Sequence, residues 1–216
     1  MGAPLGILGG TFDPVHLAHV ALARAALDRL NLAQVVWIPA GQPPHRDRPR
    51  TPADDRLAMV RMAIAGEPRF ALDASEVAST APSYTMHTLE RLRREYGASR
   101  PLVLLMGADA FRGLPGWHRW QEIFGLAHIA VATRPDFPLD AFAAPLADEF
   151  IARRLAGADF SSKPAGGIHT FELVAGTVSA TAVRGLVAAG APDEKLRELV
   201  PAPVLDYIRQ HQLYRP

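Results

Sequence analysis

Short apolar segments alternate with longer segments of helical periodicity along this chain. The apolar segments predict six β-strands, at 5–9, 35–40, 69–77, 101–107, 128–134 and 168–174. The first, second, fourth and fifth of them are continuous apolar runs, without a clean alternation of apolar and polar positions. Such runs are typical of strands that are covered on both faces.

Helical spacing of apolar residues predicts what lies between these strands. Four segments show it, at 17–30, 53–65, 84–96 and 117–125. The second of them has Thr51 as a candidate cap, Pro52 in its first turn and acidic residues at its positive end. The segment from Ser179 to Pro216 is also helical in pattern, with breaks at its internal prolines.

The order of these segments predicts the fold class. Strands that alternate with helices indicate βαβ units with right-handed crossovers. We therefore expect an α/β fold with a doubly wound, mostly parallel sheet and a helical C-terminal segment. The connections at 41–50, 134–150 and 161–167 are expected to be irregular. No internal repeat or linker is visible, so residues 1–216 are predicted to form a single domain, with 178–216 as its helical C-terminal part.

Composition narrows the class of protein. Of 216 residues, 49% are hydrophobic and 21% are charged, which is the balance of a globular chain that buries a core. The formal net charge of +1 argues against a surface that coats nucleic acid, and the absence of cysteine excludes thiolate metal sites and cysteine nucleophiles. The N-terminus lacks a signal-peptide pattern, and no segment reaches the roughly 20 apolar residues of a membrane span. We expect a cytoplasmic protein without nucleic-acid or membrane partners, whose oligomeric state the sequence leaves open.

Candidate chemistry begins in "GGTFDPVHLAHV", residues 9–20. Gly9 and Gly10 have no Cβ, so their backbone can approach a phosphate closely. If the next helix begins near Pro14 or Val15, its amides point into the same space, and His16 and His19 share one face. Two imidazoles beside a polyphosphate can donate hydrogen bonds and stabilise developing charge. The alternative is an ordinary strand–turn–helix connection that contains histidine.

A second candidate stretch is "VSATAVR", residues 178–184. Ser179 is a favourable helix cap, and Arg184 can donate two hydrogen bonds to a phosphate. The alternative is an ordinary capped helix with a surface arginine. No G-K-[ST] follows the first glycines, and the chain has no G-x-G-x-x-G, G-x-S-x-G or H-E-x-x-H motif, which disfavours the corresponding classes of enzyme.

Together the two stretches resemble a known superfamily. "GGTFDPVHLAH" closely resembles the signature of the nucleotidylyltransferases, in which a strand and a glycine-rich turn lead into a helix that carries H-x-G-H. "VSATAVR" resembles the I-S-S-T-x-x-R motif of the same superfamily, and both occur in the expected order. Two positions depart from the pattern: Ala18 replaces the glycine between the histidines, and Ala180 replaces a serine. The resemblance implies a Rossmann-like nucleotidyltransferase fold.

Further stretches resemble one family within that superfamily, the bacterial nicotinate-nucleotide adenylyltransferases. They are "PPHR" (43–46), "SYTMHTL" (83–89), "GADAF" (107–111), "WHRWQEIF" (117–124), "RP" (134–135) and "LVPAPVLDYIRQHQLYR" (199–215). The implied reaction joins ATP and nicotinate mononucleotide, and it gives nicotinate adenine dinucleotide and pyrophosphate in NAD biosynthesis. Because the acceptor phosphate attacks the α-phosphorus of ATP directly, no protein nucleophile is needed.

The resemblance also implies site residues. His16, His19 and Arg184 would be catalytic and stabilise charge on the transferred and departing phosphates. ATP would be bound by Gly9, Gly10, Thr11, Phe12, His16, His19, Gly107, Asp109, Ser179, Thr181 and Arg184. Nicotinate mononucleotide would be bound by His45, Arg46, Thr85, Trp117 and His118, with Trp117 stacked on the pyridine ring. Mg²⁺ would accompany ATP, with no protein ligand assigned to it.

Alternatives stay open at this point. Asp109 could instead cap a helix, Trp117 and Trp120 could be helix core, and the basic loop at 41–50 could simply be solvated. The enzyme could accept another phosphate, from nicotinamide mononucleotide or phosphopantetheine. A nucleotide-binding regulator without turnover is the alternative from a different class, and both histidines and Arg184 argue against it.

Overall fold

The fold is described from a computed structural model, which describes residues 2–44, 49–133, 142–173 and 178–215. Within these residues six strands form one sheet: β1 (Leu5–Gly10), β2 (Gln34–Pro39), β3 (Phe70–Leu72), β4 (Leu102–Gly107), β5 (His128–Thr133) and β6 (Ile168–Glu172). Their order in the sheet is β3-β2-β1-β4-β5-β6. The ladders that join β1 to β4, β4 to β5 and β5 to β6 are parallel.

Helices connect the strands. In the described ranges they are α1 (Leu17–Arg29), α2 (Ala53–Ile64), α3 (Thr85–Tyr96), α4 (Ala108–Arg112), α5 (Ile123–Leu126), α6 (Leu146–Arg153), α7 (Ala180–Ala188), α8 (Asp193–Arg197) and α9 (Ala202–Gln210). The six-stranded parallel sheet with flanking helices confirms the predicted doubly wound α/β fold and its helical C-terminal region. Because strand order reverses beside β1, ligands are expected at the carboxyl end of that strand.

Several predicted elements differ from those observed. The third strand ends at Leu72 rather than continuing to 77, because Asp73 begins a turn in which its carboxylate accepts the Ser75 N–H at 2.9 Å. Thr51 is buried and is not a cap; Pro52 occupies the position before α2. Two of the three internal prolines of the C-terminal segment act as predicted, since Pro192 and Pro201 precede α8 and α9. Pro203, also expected to break the pattern, lies in the first turn of α9, where its missing N–H is tolerated.

The chain divides into two compact units, which are described separately. The first comprises Met1–Leu8, Leu22–Val36 and Ser83–Val174. Its core is made by β4 and β5, in which every residue but the last is buried, as the continuous apolar runs predict. Arg93 at the end of α3 stabilises the surrounding loops by donating hydrogen bonds to the carbonyls of Leu126, Arg100 and Pro164.

The second unit comprises Gly9–Ala21, Trp37–Pro82 and Ala175–Pro216. Trp37, at 0% exposure, lies in its core and contacts the rings of Phe12 and Phe70. Helix α9 packs on α2, and the Tyr207 hydroxyl donates to Asp55 Oδ1 at 2.8 Å between them. In neither unit is a described helix long and apolar enough to cross a membrane. The prediction of one domain stays a prediction.

Candidate active site

The turn after β1 contains two glycines with different surroundings. A Cβ built on Gly9 would meet no protein atom within 4 Å, so the backbone there is open to a ligand. A Cβ on Gly10 would lie 3.0 Å from the ring of Phe12. Phe12 itself has a φ of +50°, an uncommon value for a bulky residue, and such strain is often retained at functional sites. The turn is therefore a closely packed structure with one open face at Gly9.

The two histidines lie together, as the spacing predicts. Their rings stack with centroids 3.7 Å apart, although α1 begins at Leu17 and not near Pro14 or Val15. The His16 N–H donates to His19 Nδ1 at 3.2 Å, which leaves Nε2 to carry the proton of neutral His19. Phe12 packs its ring against His19 in an edge-to-face arrangement at 5.0 Å. The His19 ring is thus oriented with its donor atom defined.

The later helix start changes the expected phosphate cradle. The Leu17 N–H donates to the Leu199 carbonyl at 2.8 Å, and the His16 N–H is used by His19. These two amides are therefore engaged by the chain and are not available to a phosphate. The side chains of His16 and His19, more than the helix amides, carry the capacity of this turn to bind anions.

Arg184 approaches the same turn from α7. Its Nη1 donates to the Asp13 carbonyl at 2.7 Å, and its Nη2 donates to Thr181 Oγ1 at 3.2 Å. Its Nε is buried and has no hydrogen-bond partner among the described residues. Ser179 caps α7 as predicted, since its Oγ accepts the Ala182 N–H at 3.2 Å. The second motif is therefore brought to the first, with two of the five guanidinium N–H groups bonded to the turn and to Thr181.

Asp13 is the centre of the hydrogen bonds behind this turn. It is 6% exposed, and its Oδ1 accepts the Tyr214 hydroxyl at 2.8 Å while its Oδ2 accepts the Arg50 N–H at 2.9 Å. Arg184 donates a hydrogen bond to the backbone carbonyl of the same residue. A buried carboxylate needs such donors, because an unpaired one is costly.

Arg56 holds the loops around the turn. It is 1% exposed and donates to three backbone carbonyls: Nη1 to Thr11 at 2.6 Å, Nη2 to Gly41 at 3.2 Å and Nε to Thr51 at 3.3 Å. Burial lowers the pKa of Arg56, and the negative charge of Asp13 opposes that shift. Because arginine keeps its charge in proteins, the buried guanidinium supplies positive charge behind the turn.

Three of the five predicted acceptor residues, Thr85, Trp117 and His118, lie in the first unit. Thr85 begins α3, where the first amides have no partner within the helix. The His118 ring lies over the ring of Tyr84 at 4.5 Å and near His87 at 5.6 Å. Trp117 is half-buried, and its backbone N–H donates to the Leu114 carbonyl at 2.9 Å. The aromatic character of the segment fits a flat ligand.

The prediction of a helix over 117–125 is wrong for the residues before Ile123. Arg119 has a φ of +52°, and regular α-helix begins only at Ile123 after a short 3-10 turn. Two carboxylates hold Arg119 in this conformation: Glu122 accepts from Nε at 2.8 Å and from Nη2 at 2.6 Å, and Glu90 accepts from Nη1 at 3.1 Å. These bonds raise the pKa of Arg119, the one to Glu122 most. Trp117 and His118 therefore lie in a bend and turn between two short 3-10 segments, not on an α-helix.

Two further predicted ATP residues also lie in the first unit. Gly107 ends β4, and Asp109 lies in the first turn of α4. The Asp109 side chain is 86% exposed and lies 3.7 Å from Arg112, so it is not a helix cap. His45 and Arg46, predicted for the acceptor phosphate, lie outside the described residues.

Sequence reasoning missed three residues that shape the site. Asp13 lies inside the quoted signature, but nothing in the sequence shows that its carboxylate is buried. Arg56 follows two acidic residues in an apparently exposed helical pattern, and Tyr214 lies 201 residues from its partner. Only the fold brings them to the turn.

Comparison with known proteins gives consistent matches. Residues 7–185 match the family model described as cytidylyltransferase-like. The chain is 54% identical to a probable nicotinate-nucleotide adenylyltransferase of Dechloromonas aromatica, over 100% of this chain and 99% of the relative. It is 45% identical to a protein of the same description from Pseudomonas putida, over 98% and 94% of the two chains. In fold it is similar to Plasmodium falciparum nicotinic acid mononucleotide adenylyltransferase complexed with NaAD, with a TM-score of 0.74, 13% identity and coverage of 99% and 98%.

Proposed function

The chain belongs to the nicotinate-nucleotide adenylyltransferase family, and we propose that it transfers the adenylyl group of ATP to nicotinate mononucleotide. The products are nicotinate adenine dinucleotide and pyrophosphate, so the reaction belongs to NAD biosynthesis. The protein is a nucleotidyltransferase, in which the acceptor phosphate attacks the α-phosphorus of ATP and pyrophosphate leaves. One P–O bond forms as another breaks, and no covalent intermediate on the protein is required.

The observation that carries the proposal is the convergence of the histidine pair and Arg184 on one glycine turn. His16 and His19 stack at 3.7 Å, and Arg184 is bonded to Asp13 in the same turn. Imidazole and guanidinium donors in fixed positions stabilise negative charge that develops on phosphate oxygens. Catalysis by such donors needs no activated serine or cysteine, and the chain contains no cysteine.

Residue roles follow as part of the proposal. His19, with its proton on Nε2, donates to an oxygen of the transferred phosphate, and His16 supports that ring by stacking. Arg184 and Thr181 bind the β- and γ-phosphates, and Gly9 allows the backbone to approach the nucleotide. Gly10, Thr11 and Phe12 form the wall of the turn, Ser179 orders α7, and Gly107 with Asp109 binds the ribose.

The acceptor is proposed to bind through the first unit. The Trp117 ring stacks on the pyridine ring, while amides at Thr85 and His118 receive the carboxylate. Uncharged donors of this kind favour the acid over the amide. His45 and Arg46 are proposed for the acceptor phosphate.

Mg²⁺ is proposed to accompany ATP. No group of three or more histidine, aspartate or glutamate side chains suited to a metal lies within the described residues. Mg²⁺ commonly keeps several waters and binds through substrate phosphates, so this side-chain set fits an ion held by ATP itself. When bound, such an ion neutralises phosphate charge. We place the reaction in the cytoplasm, consistent with a chain that lacks cysteine.

The test is pyrophosphate release from ATP and Mg²⁺ with nicotinate mononucleotide, nicotinamide mononucleotide or phosphopantetheine in parallel. We expect release with the acid to exceed release with either other acceptor by at least about tenfold in kcat/KM, the cost of roughly 1.4 kcal/mol of differential binding. Release with another acceptor alone would overturn the acceptor assignment. ATP binding without release from any acceptor would indicate a nucleotide-binding regulator.

A further inference from the structure

Tyr214 lies beyond α9, in a segment with an unusual backbone. Tyr214 has a φ of +63° and Gln212 a φ of +53°, both in the left-handed region that side chains other than glycine rarely adopt. Two such residues close together cost free energy, which other contacts must offset. The Tyr214 hydroxyl makes one such contact, its 2.8 Å hydrogen bond to Asp13 Oδ1.

That bond reaches the turn on which the proposed chemistry depends. Asp13 presents three acceptor atoms to three different segments: Oδ1 to Tyr214, Oδ2 to the Arg50 N–H and its carbonyl to Arg184 Nη1. The residue is almost fully buried, so water does not readily replace a missing donor. Burial also raises the pKa of Tyr214 further above neutral pH, where a tyrosine hydroxyl is protonated in any case and able to donate.

We propose that Tyr214 is a positioning residue for ATP, which acts through Asp13 on Arg184. The inference rests on the proposed function, since it takes Arg184 to bind the β- and γ-phosphates. With Tyr214 bonded to Oδ1, the Asp13 carboxylate has donors on both oxygens, and Arg184 donates to the carbonyl of that residue. The positive charge of Arg184 is then not paired with the Asp13 carboxylate, so it can bind a phosphate.

Loss of the tyrosine hydroxyl would redirect Arg184. A buried carboxylate with an unfilled oxygen attracts a nearby cationic donor, and a charged pair is stronger than a bond to a neutral carbonyl. Arg56 also interacts electrostatically with Asp13, but its three donors are bonded to the carbonyls of Thr11, Gly41 and Thr51. Arg184 already contacts the same residue, 2.7 Å from its carbonyl oxygen. Rotation of the guanidinium onto the carboxylate would withdraw it from the phosphates of ATP without unfolding the chain.

The chain offers a matched control for the test. Tyr207 lies in the same unit and donates its hydroxyl to Asp55 Oδ1, also at 2.8 Å, and its described partners, Asp55 and His211, are not proposed ATP residues. Tyr214→Phe and Tyr207→Phe therefore each remove a bond from a tyrosine hydroxyl to a carboxylate, and Tyr214→Phe also removes the contact of that hydroxyl with Thr51. Affinities for ATP and for AMP are measured for both variants by titration calorimetry in Mg²⁺ without acceptor, alongside kcat/KM and Tm.

We expect Tyr214→Phe to weaken ATP binding about tenfold, the effect of losing one charge-assisted bond, and to lower kcat/KM for ATP by a similar factor. AMP lacks the β- and γ-phosphates, so its affinity should change by less than about twofold. Tyr207→Phe should lower Tm comparably and leave ATP binding unchanged. Equal effects of the two variants on ATP, or equal loss of ATP and AMP affinity, would overturn the proposal.

A double-mutant cycle tests the route through Arg184. In an Arg184→Met background, Tyr214→Phe should not weaken ATP binding further, because the group that it positions is gone. Additive effects would contradict the proposed coupling. The binding measurements need no acceptor, so a failure of adenylyl transfer in the unaltered protein would reject the proposed function while this cycle still decides the role of Tyr214.

Discussion

His19 is oriented from three directions, and this sets what its ring can do. The His16 ring stacks on one face, the His16 N–H holds Nδ1, and the Phe12 ring contacts an edge. Catalysis by charge stabilisation depends on donors that are fixed before the reaction begins. The packing of this single ring therefore matters as much as its presence.

We predict that His19→Ala lowers kcat about a hundredfold to a thousandfold, the usual effect of removing one fixed donor to a developing charge. The affinity for ATP should change much less, because the ground-state nucleotide also contacts the turn. Steady-state kinetics with calorimetry of ATP binding checks this, and His211→Ala, an exposed histidine stacked on Tyr207, is the control. An unchanged kcat would remove His19 from the chemistry.

The two glycines of the turn should respond differently to an added methyl group. At Gly9 the new Cβ meets no protein atom, so Gly9→Ala should leave Tm unchanged and raise KM for ATP by roughly tenfold if phosphate lies against this backbone. At Gly10 the Cβ presses on the Phe12 ring at 3.0 Å, so Gly10→Ala should lower Tm as well. Thermal melts and ATP kinetics separate the two. Normal ATP kinetics in Gly9→Ala would show that no phosphate approaches there.

The signature motifs predicted which side chains meet at the turn, but not the residues that support them. The histidine spacing and the Ser179 cap are local patterns, and the structure has the histidines stacked and the cap formed. Arg56 and Tyr214 depend on burial and on contacts between distant segments, which a single sequence does not reveal. Their assignment needs the fold.

Strands and helices were predictable from the sequence where the spacing of apolar residues follows one clear pattern. The strands β1, β2, β4 and β5 are within one residue of the predicted bounds at each end, because buried parallel strands have a continuous apolar signal. Helices α4 and α6 were not predicted; α4 is only five residues long, and α6 (Leu146–Arg153) begins within the segment 134–150 that was expected to be irregular. Short helices bury too few residues to show a clear period.

The segment that contains Trp117 and His118 depends on Arg119. Its left-handed backbone is held by the paired bonds to Glu122 and the bond to Glu90 on α3. Glu90 is distant in sequence, which is why periodicity alone predicted a helix here. Such a three-residue network with paired geometry is the kind of surface ion pair that orders a segment.

We predict that Arg119→Ala raises KM for nicotinate mononucleotide severalfold, because Trp117 and His118 lose their fixed backbone. ATP affinity should stay within about twofold, since the described bonds of Arg119 go to Glu122 and Glu90, neither of which is a proposed ATP residue. The control is Arg91→Ala, which breaks the i,i+4 pair of Arg91 with Glu95 on the surface of α3. Equal effects of both variants on the acceptor would indicate a general weakening of α3 instead.

On the scale of the whole molecule, stability should depend on pH through buried His128. Its Nε2–H donates to the Lys163 carbonyl at 2.9 Å, and its Nδ1 accepts the Gly167 N–H at 3.0 Å, so the neutral ring is fully bonded. Burial lowers the pKa of His128, and burial also lowers the pKa of His169. At a pH below 6.5, the ordinary pKa of histidine, these side chains bind protons in the unfolded chain but stay neutral in the folded chain.

The free energy of unfolding should therefore be maintained above pH 6.5 and fall as pH decreases below it. One fully excluded proton gives a slope of roughly 1.4 kcal/mol per pH unit. Denaturant unfolding between pH 7.5 and about pH 5 measures it. His128→Gln should reduce the slope, with His87→Gln on the exposed face of α3 as control. The same slope in unaltered protein and His128→Gln would contradict this account.

The global topology was the most predictable property of the chain. Alternating strands and helices leave few arrangements once crossovers are right-handed, and the doubly wound order is one of them. The division into two compact units was not predictable, because each unit combines segments that are far apart in sequence. No local pattern marks such a division.

The bond between Tyr214 and Asp13 has a consequence for the order of events in the cell. A ribosome adds Asp13 to the chain 201 residues before it adds Tyr214. The nascent turn therefore lacks this donor even after all six described strands have been synthesised. A polypeptide that ends after α9 but before this tyrosine would retain every described strand and both nucleotidyltransferase motifs. It would nevertheless lack the hydroxyl that binds Asp13, so the turn would be present without one of the donors that holds it.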